Sequence, residues 1–209
     1  MPIKPIEPSE TKGAFDVVHQ TLSSRASARA FNLPSLSKAD PDTLAIAMPH
    51  RVESLALGHL RRGTIPKNDK ADFWRFLVLE NHEPIAAATA VIAEAKRRPI
   101  TAATAARAED CRFEFGGLDE GPFVRGTAEA VRRAEDLMEV REGQFEAVLL
   151  VVPALYVVAL WLQDLSSQAA SGRSGEADLL IAIPPSNPML DPGEPMRPAS
   201  FLQALTLAR

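Results

Sequence analysis

The chain has 209 residues, 46% of them hydrophobic and 24% charged, with a formal net charge of -4; that is length for a core of ordinary size and too much apolar content for a disordered chain. The acidic balance excludes a global positive field for a phosphate backbone, so no nucleic-acid partner is expected. One cysteine, Cys111, cannot form an internal disulfide, and the first residues show no charged segment followed by a long apolar one, so a reducing, cytoplasmic location is expected.

Residues 1–12, with three prolines among Lys, Glu and Ser, read as a flexible N-terminal tail, and 13–209 as a single α+β domain. Phe15, Val18, His19 and Leu22 fall at helical spacing and predict a short amphipathic helix over 13–24. Ser23 to Pro41 reads as a connector punctuated by Pro34 and Pro41, and extended structure is expected near 43–48 and 51–57, interrupted at Met48-Pro49-His50. Phe73-Trp74-Arg75-Phe76-Leu77-Val78-Leu79 is a strand by its aromatic and β-branched residues, and Glu80 to Pro84 a turn. The next segment admits two readings. Pro84 opens an alanine-rich run closing on Lys96-Arg97-Arg98-Pro99, as a helix would; alternatively 85–92 is the hairpin partner that the Trp74 strand needs. We take the hairpin, followed by an exposed, arginine-bearing connection over 93–110.

Gly121-Pro122 places proline at a first helical position, with Asp119 and Glu120 at the positive end of the dipole. Phe123, Val124, Thr127, Ala128, Val131, Ala134, Leu137 and Met138 make an apolar stripe, and Arg125/Glu129, Glu129/Arg133 and Arg132/Asp136 make a solvated face of i,i+4 pairs, so a helix is expected over 122–139. The run Ala147 to Leu162 is sixteen residues without a charge, with Pro153 at its middle. A spanning helix takes about 20 residues and tolerates no such break without support, so no membrane partner is expected. Its valines and aromatics instead predict two buried strands, about 145–152 and 155–162, with a link too short for a parallel crossover. Asp164 to Glu176 is a polar loop and Asp178 to Ile183 a further buried strand. Residues 184–198 carry six prolines in fifteen positions, which keeps the segment extended and out of a sheet centre. Phe201, Leu202 and Leu205 predict a terminal amphipathic helix over 199–208. The fold expected is α+β: a mostly antiparallel sheet with one long packed helix and short terminal helices.

No catalytic spacing is complete. Phe115 to Pro122 is glycine-rich before a helix, but it lacks the phosphate-loop patterns, carries two acids and reads as a tight turn and helix cap. Gly172-Arg173-Ser174-Gly175 does not complete a nucleophile elbow, Cys111 has Arg107 and Arg112 but no histidine nearby, and His19, His50, His59 and His82 lack metal-ligand spacing. No catalytic residue, metal or cofactor is therefore expected. Three polar residues are candidates for binding a ligand in a pocket between the sheet and helix 122–139. Glu114, between Phe113 and Phe115, faces either a cleft or solvent from an edge strand. Arg75 shares a face with Phe73 and Leu77 and meets either an acidic ligand or a carboxylate on an adjacent strand. Tyr156 is the third. Met189, Leu190 and Met196, in the proline-rich segment, need apolar cover from their own domain or from another molecule and are the partner-binding candidates.

Gly121-Pro122-Phe123-Val124 opening a helix, followed by Val152-Pro153-Ala154-Leu155-Tyr156 and Ala159-Leu160-Trp161-Leu162, resembles a set of short bacterial proteins of unassigned activity. The resemblance covers 121–162, implies a bacterial, intracellular origin and transfers no functional residue. The function expected is a non-catalytic binding or protein-interaction role in the bacterial cytoplasm, with a protein partner or a second copy of the chain. The alternatives are a small enzyme or ligand carrier using the pocket at helix 122–139, and a structural subunit of a larger assembly.

Overall fold

The computed structural model describes residues 3, 8–67, 73–93, 113–166 and 173–207. Cys111, Arg107, Arg112 and nearly all of the 93–110 connection lie outside them, as does the middle of the polar loop before Asp178. In chain order the elements are α1 (Pro8–Ser27), α2 (Pro34–Lys38), β1 (Leu44–Ser54), α3 (Leu57–Arg61), β2 (Phe73–Glu80), β3 (Glu83–Ile92) and β4 (Phe113–Asp119). They continue with α4 (Pro122–Asp136), α5 (Met138–Glu142), β5 (Phe145–Val152), β6 (Val157–Asp164), β7 (Leu179–Ile183), β8 (Pro195–Met196) and α6 (Pro198–Leu207). The architecture is mixed α and β: β2–β3, β3–β4, β5–β6, β6–β7 and β7–β8 pair antiparallel, and β1–β5 pair parallel. The chain divides into two compact units, one of residues 7–49 and 72–119, the other of 1–6, 50–71 and 120–209.

In the first of these units the strand order is β4-β3-β2-β1, with α1 against β3 and β4. The helix is longer than the periodicity of 13–24 predicts, because Pro8 supplies a compatible first residue and the apolar face repeats through Thr11, Ala14, Val18 and Leu22, all buried. The β2–β3 hairpin forms as expected. Asn81 and His82 take φ of 48° and 72°, the two left-handed residues that a tight primed turn requires. Ala86, Ala87, Ala88 and Ala90 are fully buried in β3, so the alanine run serves close packing on both faces of a strand and not a helix. Pro84 enters where the register shifts between Val78 and Leu79, so its missing N–H falls at an irregularity. Residues 43–48 and 51–57 are one strand in place of two: β1 runs through Met48, which takes a φ of 49°, and ends at Ser54.

The glycine-rich stretch before Pro122 is a strand as far as Asp119, where a turn is expected from the sequence. Thr89 pairs with Gly117 and Ala90 with Phe115, leaving Gly116 as the extra residue of a bulge. A Cβ at Gly116 would lie 2.9 Å from Val91 Cγ1 and 3.2 Å from Thr89 O. The glycine is there for a close approach between strands and offers no anion cradle.

In the second unit the order is β1-β5-β6-β7-β8. β5 and β6 pair antiparallel from Val152↔Val157 outward, with Val148 opposite Trp161, so the uncharged run 147–162 is a buried hairpin turning at Pro153–Tyr156. No described helix is long and apolar enough to cross a membrane. One face of these strands, including Val148, Leu150, Trp161 and Leu180, packs with Phe201, Leu202 and Leu205 of α6. α4 packs on β6 and β7. It ends at Asp136, short of the expected 139: Leu137 is extended, and Arg141 of α5 donates from Nε to Glu135 O at 3.0 Å and from Nη2 to Asp136 Oδ1 at 2.8 Å, serving the last turn of α4. The 20-residue α1 exceeds the 15-residue α4, so α4 is not the one long helix.

At Gly126 the axis of α4 comes directly onto β7. A Cβ there would stand 2.5 Å from Cγ2 of the buried Ile183 and 3.2 Å from Pro184 O. Gly126→Ala is therefore expected to destabilise the protein by about 1–3 kcal/mol through overpacking, despite alanine's better helix propensity. Urea unfolding checks this, and a stabilised variant would mean that the helix stands off the sheet.

Candidate functional site

The 184–198 segment is held by its own unit. Leu190 is 2% exposed and sits in the cluster with Phe201 and Leu205, Met196 packs against that cluster from β8, and Met189 is 49% exposed. β8 is a two-residue edge strand on β7, as far into a sheet as prolines allow. The Leu190 N–H donates to Asn187 O at 2.9 Å and the Gly193 N–H to Ala182 O at 3.1 Å. Arg197 donates to Ala177 O at 2.9 Å and to Glu139 Oε2 at 2.6 Å. The amides of Leu190 and Gly193 are expected to exchange slowly in the isolated protein; rapid exchange at both would mean a free arm.

The three ligand-binding candidates are placed as follows. Arg75 lies part-buried on β2 and its Nη2 donates to Asp119 Oδ2 on β4, a carboxylate two strands away. Glu114 is exposed on β4, opposite Val91, at the end of the strand order. Tyr156 is 87% exposed at the turn between β5 and β6. Where α4 packs on the sheet, Gly126 lies directly against Ile183.

Sequence reasoning missed a buried polar group in the second unit. The Asp178 carboxylate, wholly buried, accepts from Trp161 Nε1 at 3.0 Å, from the Asp164 N–H at 2.9 Å and from the Gly175 N–H at 3.0 Å. Lys67 Nζ lies 3.4 Å from Asp178 Oδ2 and 6.0 Å from the centre of the Trp161 ring. Every acceptor direction of the carboxylate is taken, so this group joins β6, β7 and the 65–67 segment and leaves no vacant coordination for chemistry. Beside it on β6, Gln163 accepts from Arg51 Nη2 at 3.4 Å, and Arg51 Nε meets Glu146 Oε1 at 2.8 Å. An aspartate immediately before an all-apolar strand is the signal that marked the site; its partners are distant in sequence. Among the described residues no group of three or more His, Cys, Asp or Glu is placed to hold a metal ion.

The first unit has a half-open groove of about 260 Å³. One wall is α1, where Phe15, His19, Leu22, Ser23 and Ala26 recur at the spacing of one helix face; the other is Pro41, Leu44, Ala45, Ile46 and Val78. The His19 ring stacks on Phe15 at 5.8 Å, and Phe15 meets Phe76 edge-on at 6.1 Å. The wall is therefore mostly apolar and braced by aromatic contacts, with His19 and Ser23 as its polar side chains. The periodicity of α1 is legible in the sequence. The opposite wall is not, because Pro41–Ile46 and Val78 come from separate segments. Arg75, Glu114 and Tyr156 do not line it. Compared with protein-family models, with curated proteins and with solved structures, the chain finds no match.

Proposed function

We propose that the protein is a non-catalytic binding protein of the bacterial cytoplasm, and that the groove on α1 receives a small group with an apolar body and one hydrogen-bonding atom. The observation that carries this reading is the lining itself: mostly apolar walls from three separate segments around about 260 Å³, with His19 and Ser23 at hand. Binding sites have this composition, mostly apolar with a few polar groups that set orientation, and drug-sized ligands occupy roughly 300–1,000 Å³. A groove below that range suits a fragment or a single side chain of a partner. The small enzyme or carrier with a pocket at helix 122–139 has less support, given the contact at Gly126.

Titration of methyl-labelled protein with 4-methylphenol or indole tests the reading. Saturable shifts are expected at the methyls of Leu22, Leu44, Ile46 and Val78, and Ala26→Trp, which places a ring in the groove, should abolish them. Absence of saturable shifts there, or equal shifts in the variant, would refute the site.

A further inference from the structure

We propose that the side chain received by the groove is Tyr156 of a second copy of this chain; the proposal rests on reading the groove as a binding site. Tyr156 is the single tyrosine of the sequence and stands 87% exposed at the tip of the β5–β6 hairpin. Its φ of 53° and ψ of 37° are left-handed, a conformation that glycine holds at least cost and that a bulky side chain adopts only against sterics. The ring gains nothing from its own unit in return, since it lies in solvent.

The tip is pre-organised. Its N–H donates to Pro153 O at 3.3 Å, Leu155 packs against the core cluster, and the Val152↔Val157 pair closes the hairpin beneath it. A side chain presented on so constrained a turn loses little freedom when it docks. Its chemistry matches the groove: a phenol is a flat apolar ring with one hydroxyl, to be met by Phe15, Leu44 and Ile46 around the ring and by His19 or Ser23 at the oxygen. One exposed aromatic and one complementary hole on each copy are sufficient to link copies, as a reciprocal pair or as a chain. A contact centred on one side chain is weak, so association is expected at high protein concentration.

Sedimentation velocity over a wide concentration range tests this. The wild-type weight-average mass should rise with concentration, and Tyr156→Gly, which removes the ring and relieves the backbone, should weaken association about tenfold or more. Ala26→Trp, or Ser23→Trp if the first perturbs folding by circular dichroism, should do the same from the groove side. Mixing Tyr156→Gly with the groove variant should restore a one-to-one complex, because one copy keeps the hole and the other the tyrosine. A wild type that stays monomeric at every concentration, a Tyr156→Gly that associates like wild type, or a mixture that stays monomeric overturns the proposal. If 4-methylphenol still fills the groove of such a monomer, the groove reading stands and only the tyrosine assignment falls.

Discussion

Trp161→Ala is expected to lower the free energy of unfolding by about 3–5 kcal/mol, among the largest effects any single substitution can have here. The ring is fully buried in the middle of β6 and packs in the cluster with Val148, Leu150 and Phe201, so removing it leaves a cavity that strands paired on both sides cannot close. It also takes away one donor from Asp178. Trp161→Phe separates the two contributions, because it keeps an aromatic ring and loses the N–H; a cost of about 1–3 kcal/mol is expected from the carboxylate's lost partner. Chemical denaturation reads both. A Trp161→Ala change within about 0.5 kcal/mol, the range of surface substitutions, would contradict the buried hairpin.

Asp178→Ala is expected to cost about 3–5 kcal/mol, the penalty for removing one member of a buried ion pair and leaving the other groups unmatched. Trp161 Nε1, the Asp164 N–H and the Gly175 N–H would lose their acceptor together, in a place water reaches poorly. Lys67→Met should cost less, since the Lys67 head is partly exposed and three N–H groups still hold the carboxylate. If Lys67→Met proved the more damaging, the ion pair and not the hydrogen-bonded carboxylate would be the tie between these segments. The double variant should fall short of the sum, because both changes act on one network.

What the sequence by itself determined is the local structure with one dominant cause. The β5–β6 hairpin follows from β-branched residues on both sides of Pro153, where the link admits no crossover. The start of α4 follows from Gly121-Pro122, and the confinement of the proline-rich segment to a sheet edge follows from its missing donors. The β2–β3 hairpin was legible only as a choice, because alanine fits a helix and a tightly packed strand equally well. What decided it was burial of Ala86, Ala87, Ala88 and Ala90 between neighbouring elements, which no local pattern states. Gly116 and Gly126 are of the same kind: each answers a neighbour, Val91 or Ile183, brought close by the fold. The division of 122–139 into α4 and α5 depends on Arg141 serving a carbonyl of the preceding helix. The Asp178 network and the groove lay furthest from view. Asp178 and Lys67 are 111 positions apart, and the groove joins α1 to Pro41–Ile46 and Val78, so both exist only once the strands have been put in order. Periodicity reports which face of an element is buried, while the partner that buries it is chosen by tertiary packing.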